Sequence, residues 1–255
     1  MGNLYVGTSG YNYKHWKGIF YPENITQKEW LNYYSNYFNT VEINATFYRF
    51  FTKSVFEKWY NITPNNFKFG VKGPRLITHV KRLKDIEKEL EIFLNSAVGL
   101  KNKLTNILWQ LPKTFRDKDK KIGERFIHFL SMLPKGINNV FEFRDSSWFN
   151  YEIYSSLNKN KCGFVISDSE YFPTREVITD NIVYIRFHGP TKLYSSSYSN
   201  DELAIWAENI ENCLRECDVY CYFNNDTNGF AVKNAQTLKS LIITTGLHPV
   251  SFRLI

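Results

Sequence analysis

Short β-rich runs alternate with longer amphipathic runs from one end of this chain to the other, and that alternation restricts the fold more than any other feature. The β-rich runs cover residues 4–8, 40–44, 67–72, 106–111, 139–144, 163–168, 182–188 and 219–224. Helical spacing is expected over 26–38, 52–60, 83–100, 117–133, 147–158, 200–216 and 229–245, with Gly246 as a stop. Thr26 with Glu29 three residues on is a capping-box pattern, and Leu83, Ile86, Leu90, Phe93, Leu94 and Ala97 fall at spacings of three and four. The stretch after Asp168 reads as a loop containing Pro173, so the helix after the sixth strand is expected to be weak or missing. Strands separated by helices make a parallel sheet. Eight such units in 255 residues fit one closed (β/α)8 TIM barrel, taken as a single domain over 1–255. An open doubly wound sheet would bring a glycine-rich phosphate turn, and Gly7-Thr8-Ser9-Gly10 is not one.

Strands of a parallel sheet are usually apolar on both faces. Four of these alternate instead: Val41-Glu42-Ile43-Asn44, Phe141-Glu142-Phe143-Arg144, Val183-Tyr184-Ile185-Arg186-Phe187-His188 and Val219-Tyr220-Cys221-Tyr222-Phe223-Asn224. Side chains two apart share a face. If the apolar set meets the helices, then Glu42, Asn44, Glu142, Arg144, Tyr184, Arg186, His188, Tyr222 and Asn224 point into the barrel near the strand C-termini, where barrels of this kind keep their sites. Lys72, Gln110 and Asp168 also end strands. The intervening helices argue against an antiparallel sheet with one wet face. A purely structural Glu–Arg network is the plain alternative, but buried ion pairs seldom improve on an apolar filling, so a functional pocket is the better explanation.

The chemistry these residues offer is ionic. Arg144 and Arg186 suit a planar bidentate cradle for phosphate or carboxylate. His188 is the candidate proton carrier near neutral pH, and Glu42, Glu142 and Asp168 are candidates to position or activate water. Asn224, Asn225 and Asp226 open a turn after the eighth strand where barrels bind phosphate through free backbone N–H groups. Lys72, His79 and their basic neighbours follow the third strand. Residues 66–125 hold 15 Lys and Arg against 7 Asp and Glu, while the other 195 residues hold 17 against 18, so the net charge of +7 is concentrated beside the expected pocket. With Phe, Tyr and Trp at 17% of the chain, a basic rim with aromatic walls suits a nucleotide or single-stranded nucleic acid, with Trp148 as one wall and Tyr194 as a cover.

Seven segments together resemble the YecE-like family, also called domain of unknown function 72. They are Gly7-Thr8-Ser9-Gly10 with Trp16-Lys17-Gly18-Ile19-Phe20-Tyr21-Pro22; Val41 to Arg49; Ile77-Thr78-His79; Gln110-Leu111-Pro112; Glu142-Phe143-Arg144 with Ser147-Trp148; Tyr184 to Gly189; and Tyr222-Phe223-Asn224-Asn225-Asp226. They run in order through nearly the whole chain. Tyr11 and Ala45 depart from the family's commoner Trp and Ser without touching the charged set. The resemblance implies a TIM barrel with its pocket at the strand C-termini and supplies no established reaction.

The function read from these residues is a hydrolase or transferase, possible phosphoester hydrolase activity included, on a phosphate-bearing small molecule or nucleic acid. The other readings are a nucleic-acid binder without chemistry and a carbohydrate-active barrel. A divalent metal is not signalled: there is no H-x-H, H-E-x-x-H or D-x-D, and Cys162, Cys213, Cys217 and Cys221 lack zinc-finger spacing. Free, buried thiols, no apolar run of about 20 residues and no signal core after Met1 point to a cytoplasmic protein with no membrane partner. The oligomeric state is not encoded legibly.

Overall fold

A computed structural model of the chain describes residues 1–116 and 120–244. Eight parallel strands form the barrel: β1 Leu4–Thr8, β2 Thr40–Ile43, β3 Lys68–Lys72, β4 Leu104–Leu111, β5 Asn138–Phe143, β6 Cys162–Asp168, β7 Ile182–Phe187 and β8 Asp218–Phe223. They pair in the order β1-β8-β7-β6-β5-β4-β3-β2. The helices are α1 Trp30–Tyr34, α2 Ala45–Tyr48, α3 Lys53–Ile62, α4 Glu87–Ala97, α5 Lys120–Met132, α6 Tyr151–Lys159, α7 Asn200–Cys213 and α8 Phe230–Thr244. This is a (β/α)8 TIM barrel. No helix separates β6 from β7, as the Pro173 stretch implied. The expected helix starts and ends at 117 and 245–246 lie outside the described residues. Among the described residues, no helix is long and apolar enough to cross a membrane.

Helices α1, α4 and α6 each start later than their periodicity suggests, and for α1 and α4 the cause is local. Arg82, Leu83 and Asp85 adopt left-handed backbone conformations with φ of 49°, 61° and 50°. Such residues cannot continue a right-handed helix, so α4 begins only at Glu87. At Thr26, the Glu29 carboxylate returns to the Thr26 N–H at 2.8 Å and to its hydroxyl at 2.7 Å. That closes a turn, and α1 proper is confined to Trp30–Tyr34. By contrast Ser199 and Glu202 build a complete capping box at the start of α7.

The barrel closes between β1 and β2 by side chains more than by a backbone ladder. Tyr34 Oη accepts from the Thr8 N–H at 2.9 Å and donates to the Thr40 carbonyl at 3.0 Å. The Asn39 side chain accepts from the Val6 N–H and donates to the Leu4 carbonyl. A single bridge joins Ser9 to Glu42 at the top of this seam. Gly7 makes the approach possible: a Cβ there would lie 2.2 Å from the Thr40 carbonyl oxygen.

The interior divides along the barrel axis. Below, Leu108, Val140, Val165, Tyr184, Tyr220 and Tyr222 form an apolar plug. Tyr222 Oη meets Thr40 Oγ1 at 2.7 Å and Tyr184 Oη donates to Glu42 at 2.7 Å. Above that level lie Glu42, Glu142, Ser167, Arg186 and His188, all buried. The larger apolar core lies outside, between strands and helices, and takes the alternate residues such as Ile43, Phe141, Phe143, Ile185, Phe187 and Phe223.

Candidate anion site at the barrel mouth

The inward parity of β2, β5, β6 and β7 brings Glu42, Glu142, Ser167, Arg186 and His188 into one layer, each buried. Arg186 donates through Nε to Glu42 Oε2 at 3.0 Å, through Nη2 to Glu42 Oε1 at 2.7 Å, and through Nη1 to Glu142 Oε2 at 2.7 Å. Ser9 Oγ adds a bond to Glu42 Oε1 at 2.7 Å, and Ser167 Oγ one to Glu142 Oε1 at 2.8 Å. Arg144 Nη2 reaches Glu142 Oε1 at 2.8 Å. Two guanidiniums thus neutralise two carboxylates, and every carboxylate oxygen accepts at least one charged or hydroxyl donor.

His188 fits into this network as a neutral ring. His188 Nε2 lies 2.9 Å from Glu142 Oε1 and 3.2 Å from Arg144 Nη2, and Nδ1 lies 3.2 Å from the Asn224 amide nitrogen. A proton on Nε2 satisfies the Glu142 and Asn224 contacts and leaves the Arg144 contact without a lone pair. Burial and the Arg144 charge push the imidazole down to about 3. With its charged form desolvated beside a guanidinium, the ring is held neutral near neutral pH. Burial pushes both carboxylates up, but the arginines outweigh it. Arg186 holds Glu42 below the ordinary carboxylate range, and Arg144 and Arg186 hold Glu142 well below it. Both are therefore ionised acceptors engaged by arginine. Each nitrogen of Arg186 is bonded to one of these carboxylates, whereas Arg144 is less committed.

The cationic side of the layer is different. Arg144 is 4% exposed, and its Nε and Nη1 have no protein partner among the described residues. The Phe172 ring covers the guanidinium face, with Cζ 3.5 Å from the ring centroid. A ring face cannot accept the in-plane N–H bonds. An unmet buried donor costs about 1–3 kcal/mol, more when charged. Lys72 is 9% exposed; its Nζ donates to Gln110 Oε1 at 2.7 Å and lies 4.2 Å from the Phe47 ring centroid. Burial, helped by the Arg186 and Arg144 charges, lowers its amine to about 7. His79, beside Phe47 and bonded to Thr78 Oγ1 at 2.9 Å, is pushed to about 4 by burial and by Lys72 and Arg75. Asn44 adds a buried carbonyl oxygen, Oδ1, with no partner. Tyr194, in the loop after β7, sets its ring edge-on to His188 at 5.5 Å.

Four expected site residues lie elsewhere. Asp168 is one residue out of phase with Ser167 and points to the helix layer, where Trp206 Nε1 donates to its Oδ2 at 3.0 Å; burial raises its carboxyl. Trp148 is fully buried outside the barrel against Phe126 and Phe143, and its Nε1 donates to the Phe115 carbonyl at 2.7 Å. Asn225 also faces outward and donates to Asn234 Oδ1 and the Ser196 carbonyl. Asp226 accepts from Trp16 Nε1 at 2.6 Å and pairs with His15 at 3.0 Å, tying the first loop to the last; burial raises it to about 6. After β7 and β8, three of the backbone N–H groups are already bonded. The Thr227 N–H bonds to the Tyr194 carbonyl, the Gly229 N–H to the Asp226 carbonyl, and the Gly189 N–H to Tyr198 Oη.

Ser9, Ser167 and Phe172 were missed from sequence. The two serines share inward parity with Gly7 and Val165, which a strict two-residue count exposes; nothing local marks Phe172. Among the described residues, no group of three or more His, Cys, Asp or Glu converges as a metal-ligand set. All four cysteines are buried and free.

Comparison with known proteins agrees with the geometry. The chain is 29% identical over 272 residues to the UPF0759 protein YunF of Bacillus subtilis, covering 94% of each. It is 28% identical over 146 residues to the UPF0759 protein YecE of Escherichia coli K12, which is 57% of this chain and 50% of that protein. The crystal structure of a DUF72 family protein (TM1631) from Thermotoga maritima superposes with a TM-score of 0.85 at 31% identity, over 94% of this chain and 99% of that one. An Enterococcus faecalis DUF72 protein (EF0366) shares the fold at a TM-score of 0.82 and 22% identity, over 98% of this chain and 100% of that one. The family profile described as "Protein of unknown function DUF72" matches residues 5–250, and the chain belongs to that family.

Proposed function

We propose that this protein binds a phosphate-bearing ligand at the C-terminal mouth of its barrel and acts on it as a hydrolase or transferase. One observation carries the reading: Arg144 keeps two in-plane donors, Nε and Nη1, buried and without a protein partner. A layer built for stability alone would satisfy them, as the same layer gives each nitrogen of Arg186 a carboxylate partner. An anionic oxygen can take either donor, each charge-assisted, and Lys72, close enough to feel the Arg144 charge, adds a further N–H. Phe172 lies over the guanidinium, so access requires the segment between β6 and β7 to lift.

The carboxylates give a carbohydrate reading less support, because a glycosidase needs one carboxyl held protonated and both of these are ion-paired. A nucleotide or single-stranded nucleic acid draws support from rings exposed just beyond the strands: Tyr48, at the end of α2, is 79% exposed, and Tyr171, in the segment after β6, 55%. The buried free thiols suit a cytoplasmic setting.

Calorimetric titration with inorganic phosphate and with a nucleoside monophosphate tests the site. Arg144→Gln should weaken both by about tenfold or more, the scale of a lost charge-assisted pair, while Asp168→Asn should leave both unchanged. Equal affinity of Arg144→Gln and the wild type would end the proposal. Steep salt dependence of nucleic-acid binding that ignores Arg144→Gln would favour a binder working through its basic rim.

A further inference from the structure

Among the described residues two lysines are buried, Lys72 and Lys103, and their surroundings differ in kind. Lys103 donates to the Tyr60 carbonyl, the Thr63 carbonyl and Thr63 Oγ1, at 2.6, 2.8 and 3.1 Å. All three N–H bonds of its ammonium are used, and its role is structural. Lys72 has one such bond, to Gln110 Oε1, and one aromatic face, Phe47. No carboxylate lies within ion-pair distance of it among the described residues, although Lys17, Lys81 and Lys84 each have one. Buried lysines without a counter-ion are rare.

The groups facing Lys72 come from several strands. Arg186 of β7 and Arg144 just beyond β5 oppose its charge, and Glu42 of β2 and Glu142 of β5 favour it. Both carboxylates are already committed to the arginines. His79 beside it is neutral. The balance lowers the amine to about 7, so that a large fraction is unprotonated in the neutral range, with one N–H anchored by Gln110. A desolvated lysine next to other cations is the setting in which amines act as nucleophiles on carbonyls. Two further groups at the same mouth are unpartnered and complementary to a short polyfunctional ligand: Arg144 for an anion and Asn44 Oδ1 for a hydroxyl.

We propose that Lys72 is a nucleophile that forms an imine with a phosphorylated aldehyde or ketone held by Arg144. The inference rests on the anion site described above. The amine nitrogen attacks the carbonyl carbon, and the carbonyl oxygen takes up a proton to give a carbinolamine. Loss of that oxygen as water, with the remaining nitrogen-bound proton, leaves the C=N bond. No oxidant or reductant is consumed. Asn44 receives a hydroxyl of the same molecule.

The test traps the imine with sodium borohydride, whose hydride reduces C=N to a stable secondary amine. Wild-type protein is mixed with glyceraldehyde 3-phosphate near pH 7.5, reduced and mapped by peptide mass spectrometry. Lys72 should be labelled about tenfold faster than any other lysine, as a selectively activated amine requires. Excess inorganic phosphate should suppress that label, and unphosphorylated glyceraldehyde should give little of it. Arg144→Lys, which keeps the charge and loses the fork, should slow it. Label spread over surface lysines with Lys72 unmodified would overturn the proposal. So would equal labelling by glyceraldehyde with and without its phosphate. Phosphate binding measured in parallel separates the two failures: if it persists without trapping, the anion site stands and only the nucleophile is wrong.

Discussion

Arg186 and Glu42, 144 residues apart in sequence, meet in a two-pronged pair inside the barrel, Nε to Oε2 at 3.0 Å and Nη2 to Oε1 at 2.7 Å. Both side chains are buried, so neither charge is tolerable without the other. Glu42→Ala should therefore destabilise the fold by about 3–5 kcal/mol, as loss of one partner of a buried pair does. Glu42→Gln, which keeps the shape and one acceptor, should cost less. Urea midpoints measure both. A loss within ~1 kcal/mol for Glu42→Ala would mean that the layer relaxes around a free guanidinium.

Acid should expose the same layer. Burial raises Glu42 and Glu142, yet Arg186 and Arg144 bring both below the ordinary range. Groups lowered on folding contribute stability that is complete above their unfolded value, about 4.3, and is lost as pH falls through the folded values. The urea midpoint should fall steeply below about pH 4 for this reason. Glu142→Gln should be weaker at neutral pH but shallower in its acid dependence. A parallel acid limb in that variant would place the sensitive carboxylates elsewhere.

Phe172 lies on the guanidinium of Arg144, 3.5 Å from Cζ to the ring centroid. Removing the ring opens the face and removes a cation–π contact. Phe172→Ala should lower stability by about 1 kcal/mol and speed anion association by about 3–10-fold, read by stopped-flow fluorescence. An unchanged rate would show that ligands reach Arg144 by another path.

Lys72 supplies a proton-linkage test. Its amine is lowered to about 7, so at pH 8 it is largely neutral in the folded protein. An anion bound beside it favours the ammonium, so binding takes up protons. Sulfate does not titrate in this range. Its binding enthalpy at pH 8 should vary with the buffer's ionisation enthalpy, in the sense of uptake, and Lys72→Met should remove that variation. A buffer-independent enthalpy in the wild type would contradict this coupling.

At the seam, Gly7→Ala would drive a methyl to 2.2 Å from the Thr40 carbonyl oxygen. Backbone on both sides leaves little room to yield. The barrel should lose about 2 kcal/mol or more, with hydrogen exchange accelerated first at the Thr8 N–H, which Tyr34 Oη holds. Wild-type protection there would show that the seam tolerates widening.

Parity explains how much of this was legible. A strand shows its two faces in sequence, so Val41 to Asn44 and Val183 to His188 already announced polar residues inside, and Glu42, Arg186 and His188 are found there. The same rule, counted strictly, removes Asp168 and Asn225 and admits Ser167; ending a strand is not the same as facing inward. The helix missing after β6 was legible at Pro173. The late start of α4 was not, because left-handed turns at Arg82, Leu83 and Asp85 depend on what packs around them.

By itself the sequence determined the barrel, the inward set of charges and the absence of a helix after Asp168, since periods of two and of about 3.6 are written locally. Tertiary structure alone decided which charges cancel. Sequence cannot say that each nitrogen of Arg186 is bonded to Glu42 or Glu142 while two of Arg144 have no partner among the described residues, because hydrogen-bond valence is assigned among neighbours from β2, β5 and β7, 44 to 144 residues apart. The same holds for His188 and Lys72, whose protonation follows from burial beside arginines.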